Sequence, residues 1–109
     1  MRLVLVLAVL VAALTVVGIA PGAGAVVRCG TVSVQEYGVA QPLVYRVRIV
    51  KGGISCRTAR RVLGYFMRKD VSPQGWYCAR GHASQNQAWA AACGTRAGAL
   101  IRSYGPVRR

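Results

Sequence analysis

Four cysteines set the tightest constraint on what this chain can become. Cys29, Cys56, Cys78 and Cys93 all lie in the last 84 residues of a 109-residue sequence. A body of that size buries only about 60% of the surface its unfolded chain exposes, so covalent staples are physically useful to it. No two of the four form a Cys-x-x-Cys pair. A thioredoxin-like redox motif is therefore absent, and a structural zinc site has little support. Four cysteines permit three disulfide connectivities, and whether they oxidise at all depends on compartment.

The first 25 residues address the compartment. Leu3 to Ala20 is an apolar run broken only by Thr15 and Gly18, preceded by Arg2 and followed by Pro21-Gly22. Ala23-Gly24-Ala25 has the small-x-small form of a signal-peptidase site, so residues 1–25 read as a signal peptide cut after Ala25. A cut after Ala20 would put Pro21 first in the mature chain, and the competing reading is an uncleaved anchor near the lower length limit for spanning a bilayer. Val26-Val27-Arg28 before Cys29 lacks the pattern of a lipid-attachment box. The expectation is an exported protein whose cysteines form two disulfides.

Residues 26–109 then make a single small domain. Leu43 to Val50 alternates with period two, with Leu43, Tyr45, Val47 and Ile49 on one side and Arg46 and Arg48 on the other. Thr31 to Gln35 places Val32 and Val34 together, and the turn residues Gly38 and Gln41-Pro42 suggest that the two strands pair as a hairpin. After Gly52-Gly53, Ser55 is a good N-cap for a helix with apolar Ala59, Val62, Leu63, Phe66 and Met67. That helix should end near Asp70, ahead of the turn Ser72-Pro73-Gln74-Gly75. Gly64 inside it suggests close packing, because a mid-helix glycine costs about 1 kcal/mol.

Trp76 to Ala79 and Ala99 to Tyr104 are two further strand candidates, with a helical turn around Ala88-Trp89 between them. The expected fold is α+β, a small antiparallel sheet with one main amphipathic helix on one face, in the order strand–strand–helix–strand–strand. A Cys78–Cys93 bridge would close the excursion where the last two strands meet. The remaining pair, Cys29–Cys56, would tie the first strand to the helix start. Leu43, Val47, Ile49, Leu63, Phe66 and Ile101 form the expected core, and Pro106 to Arg109 the expected frayed tail.

The order Cys29-Gly30, Tyr45-Arg46-Val47, Ser55-Cys56-Arg57-Thr58-Ala59-Arg60, Gly75-Trp76-Tyr77-Cys78 and Cys93 resembles small secreted proteins of actinobacteria. The Ser-Cys-x-Thr-Ala-Arg and Gly-Trp-x-Cys pieces carry most of it, and it spans Cys29 to Ile101. The resemblance implies secretion and disulfide bonding, and it implies no reaction. Thirteen arginines against two lysines fit a GC-rich genome, so codon supply accounts for part of the arginine excess.

Charge is the loudest functional signal. Residues 26–109 carry 14 basic and 2 acidic side chains, a net +12, with Glu36, Asp70 and His82 as the whole acid and histidine inventory. That weakens any mechanism needing several carboxylates or paired histidines, and no metal or cofactor site is expected. Arg46 and Arg48 share a strand face, and Arg80 and Arg102 join them as candidate anion-binding residues if their strands are neighbours. Tyr77 and Tyr104 would add rings to that surface. Arginines interleaved with aromatics suit phosphate-rich polymers. The candidate partners of a monomeric secreted protein are anionic cell-wall polymer, an anionic lipid surface and extracellular nucleic acid.

The plainer reading is a solvated basic face without a dedicated partner. Arg57 and Arg60 oppose the helix dipole, which a bound anion at Ser55-Cys56 would offset, although structural placement explains them as well. A non-enzymatic protein is expected. One alternative is a secreted inhibitor or interaction protein presenting Trp89 and His82 on the loop closed by Cys78 and Cys93. The other is a small nuclease with Glu36 as base and His82 as acid, although nothing in the spacing brings those two together.

Overall fold

Alternation along Leu43–Lys51 builds the centre of the molecule. In this computed structural model, which describes residues 25–82 and 88–107, that segment is β2, with Tyr45, Val47 and Ile49 buried and Arg46 and Arg48 turned away from them. The proposed leader lies outside the described residues except for Ala25.

On one side β2 pairs antiparallel with β1, Val27–Val34, matching Val32 to Tyr45 and Val34 to Leu43. On the other it pairs antiparallel with β5, Leu100–Tyr104, matching Val47 to Ser103 and Ile49 to Ile101. The sheet is completed by β3, Tyr77–Arg80, and β4, Ala91–Gly94, in the order β1-β2-β5-β4-β3, with every neighbouring pair antiparallel.

The helix α1, Cys56–Lys69, starts where the residue types require it to. Ser55 Oγ accepts a hydrogen bond from the Thr58 amide at 3.1 Å. At the other end Asp70 adopts the left-handed conformation (φ 56°) and its amide donates to the Phe66 carbonyl. Ala59, Val62, Leu63, Phe66 and Met67 are buried against the sheet. A Cβ at Gly64 would stand 3.1 Å from Val32 Cγ2, so the glycine lets the helix approach β1 closely. The core unites these side chains with Val34, Tyr45, Val47, Ile49, Ala91, Ile101 and the cysteines, and Leu43 packs at its margin, half-buried.

Both disulfides join the expected partners, Cys29 to Cys56 and Cys78 to Cys93. The first staples the edge strand to the helix start, and the second is a cross-strand pair within the β3–β4 ladder. Two disulfides in a chain this small are the pattern of oxidising compartments.

The fold class is as expected, a helix packed on one face of an antiparallel sheet, with one strand more than the pattern indicated. Residues 88–90 are not helical, and Ala91–Gly94 is extended between β3 and β5. Trp76 to Ala79 and Ala99 to Tyr104 are therefore not sheet neighbours. Small residues carry little strand signal of their own, and partners on both sides hold this segment extended. The expected frayed tail is tied at its start, where the Val107 amide donates to the Val44 carbonyl at 2.7 Å. Arg108 and Arg109 lie outside the described residues.

The arginine-rich open face of the sheet

Because α1 covers one sheet face, the other is left without a helix over it among the described residues, and strand parity decides what stands there. Arg48 lies directly across from Arg28 on β1 and from Arg102 on β5. Three arginines thus occupy one row across three neighbouring strands. The next row carries Thr31, Arg46 and Tyr104. Like charges directly opposite one another destabilise a sheet, so this row works against the fold that displays it.

Arg28 was not anticipated, and a β-bulge explains its position. The β1–β2 register shifts between Arg28 and Thr31. Cys29 and Val32 both turn inward although strict alternation would oppose them, and the extra residue leaves both Arg28 and Thr31 on the open side. Gly30 takes φ +73° within the shift. The consequence is an open groove of about 490 Å³ lined by Arg28, Gly30, Thr31, Arg46, Val47 and Arg48.

Aromatic rings steady the guanidinium groups here. The Arg48 guanidinium carbon lies 4.7 Å from the centre of the Tyr104 ring, and that of Arg102 lies 5.7 Å from the Trp89 ring. Arg102 Nε is buried and has no hydrogen-bond partner. Farther along, Tyr77 stands on the same face opposite Gly94 and accepts a hydrogen bond from Arg96 Nε at 3.1 Å.

Arg80 does not belong to this set. Cys78 must face the core to meet Cys93, and Arg80, two residues on, follows it to the helix side. There Arg80 Nη2 donates to the Met67 carbonyl at 2.8 Å and Nε to Asp70 Oδ1 at 3.0 Å, with Nη1 3.8 Å from Glu36 Oε1. The guanidinium also lies 5.6 Å from the centre of the Phe66 ring. It closes the C-terminal end of α1 onto β3. Of the four arginines proposed from sequence, the structure brings together Arg46, Arg48 and Arg102 and separates Arg80.

This arrangement gathers both carboxylates of the chain at Arg80. Glu36 also accepts a hydrogen bond from the Tyr45 hydroxyl at 2.7 Å. Burial, aided by that bond and the Glu36 charge and opposed by Arg80, pushes the Tyr45 hydroxyl up to about 12. Among the described residues neither acidic side chain is paired with Arg28, Arg46, Arg48 or Arg102.

The residues of the alternative readings are placed as follows. His82 is exposed, and Trp89 is half-buried, its carbonyl so close to Gly81 that a Cβ there would strike it. Residues 83–87 of the disulfide-closed loop lie outside the described residues. Glu36 is engaged with Tyr45 and Arg80 rather than standing free. The Ser55 side chain caps its own helix, and Arg60 reaches the Cys29 carbonyl at 2.8 Å, a structural role for that arginine. Among the described residues no group of three or more His, Cys, Asp and Glu side chains is placed to hold a metal ion. No helix among them is long and apolar enough to cross a membrane.

These features define a small α+β protein, two-disulfide and carrying an open sheet face of arginines and rings. Compared with protein-family models, with curated proteins and with solved structures, the chain finds no match.

Proposed function

We propose that this chain is a secreted, non-enzymatic protein, cut after Ala25, that binds phosphodiester-bearing polyanions outside the cell through its open sheet face. The observation that carries the reading is the row Arg28–Arg48–Arg102, reinforced by Arg46, on a surface to which neither carboxylate of the chain contributes. Adjacent strands repeat every 4.7–4.9 Å, so the row presents closely spaced donor groups suited to successive oxygens of a polyanion. Rings beside the guanidinium groups suit stacking as well as charge. The two disulfides and the leader-like first 25 residues support an extracellular setting.

Cell-wall phosphodiester polymer and extracellular nucleic acid share the chemistry that this face would recognise. A single-stranded oligodeoxythymidylate reports it in a fluorescence-anisotropy titration. Four neutralised phosphates give a log–log salt dependence of roughly −3. Equal retention on neutral dextran and on the oligonucleotide would overturn the reading, as would binding to anionic vesicles with none to the oligonucleotide.

A further inference from the structure

The outward side of α1 carries a second basic surface. Arg57, Arg61, Tyr65 and Arg68 are exposed. At 100° per residue these four fall within a sector of about 80°. Ala59, Val62, Leu63, Phe66 and Met67, which meet the sheet, centre on the opposite side of the helix. No acidic residue occurs anywhere in Cys56–Lys69, and both carboxylates of the chain are committed to Arg80. Among the described residues no salt bridge joins the stripe to an acidic side chain. Arg60, by contrast, is bent down onto the Cys29 carbonyl and plays no part in it.

The two basic surfaces face away from each other. One layer of helix and one of sheet separate the stripe from the row Arg28–Arg48–Arg102, with the hydrophobic core between them. A single extended strand lying on the sheet cannot also reach the far side of the helix. We infer that the molecule is bivalent, binding one phosphodiester strand on the sheet face and a second on the helix stripe, and so bridges two polyanion segments. This rests on the polyanion reading of the sheet face, and it adds a cross-linking activity that one face alone does not supply. Linked surfaces of modest individual strength gain retention on a dense polymer through effective concentration.

A sandwich assay separates the two claims. Oligodeoxythymidylate is fixed to a surface, saturated with protein and washed, and a fluorescent copy of the same oligonucleotide is then offered. The wild-type protein should capture the second strand. The triple variant Arg57→Gln, Arg61→Gln, Arg68→Gln and the triple variant Arg46→Gln, Arg48→Gln, Arg102→Gln should each still bind the fixed strand. Each should capture the second strand roughly tenfold less or worse. Glutamine keeps a helix propensity close to that of arginine, and circular dichroism with non-reducing disulfide mapping verifies the fold of each variant. Capture by the helix variant at the wild-type level overturns bivalency, including the case in which a dimer bridges through two sheet faces. First-strand binding by wild type without second-strand capture overturns bivalency and leaves the sheet reading standing. No binding of the fixed strand by any form overturns both.

Discussion

Arg80 and Tyr45 show how few polar side chains arrange the charge of the whole molecule. Arg80 joins Met67, Asp70 and Glu36 on the helix side of the sheet, away from the row Arg28–Arg48–Arg102. Arg80→Ala should lower stability by about 1–3 kcal/mol, the usual cost of losing a charged hydrogen-bond set, read as a shift of the urea midpoint. It should leave oligonucleotide affinity within about twofold. Tyr45 makes a separate prediction. Its hydroxyl rises from 10 to about 12 on folding, so the folded state favours the protonated phenol. That contribution is complete below pH 10 and is lost as pH rises through about 12. Alkaline unfolding curves should therefore show a loss of stability across that interval, and Tyr45→Phe should remove this component.

Among the elements, β2 and α1 were plain in the sequence because their periods differ and each persists over eight or more residues. Arg46 and Arg48 were legible for the same reason. Arg28 was not, since the first strand was read only from Thr31 and the bulge ahead of that residue reverses the parity. The clue was present, however: Cys29 and Val32 both need the core, and an odd separation forbids that without an extra residue. Likewise β4 is built of small residues that carry no strand signal, and the placement of Arg80 followed from the inward-facing Cys78 rather than from its own surroundings.

Turns carry their own test. Gly52, which ends β2, has φ +97°, and a Cβ there would lie 2.9 Å from the Ala99 Cα. Gly52→Ala should cost about 1–3 kcal/mol through strain and contact together, measured by denaturant unfolding.

At the scale of the molecule, the two disulfides close sequence separations of 27 and 15 residues. On the chain-entropy relation they contribute about 3.5 and about 3 kcal/mol, comparable in sum with the entire stability of a small domain. Full reduction should thus abolish the cooperative thermal transition, whereas a transition of unchanged midpoint would show that the core alone suffices. The charge arrangement makes a different demand, that binding be carried by particular faces rather than by net charge. The most direct measurement is the salt dependence of oligodeoxythymidylate binding in the Arg57→Gln, Arg61→Gln, Arg68→Gln background, which isolates the sheet. That protein should retain a log–log slope of roughly −3, and adding Arg46→Gln, Arg48→Gln and Arg102→Gln should reduce its magnitude by about 2. A slope that stays near −3 in the folded six-site variant would contradict the assignment of binding to the open face.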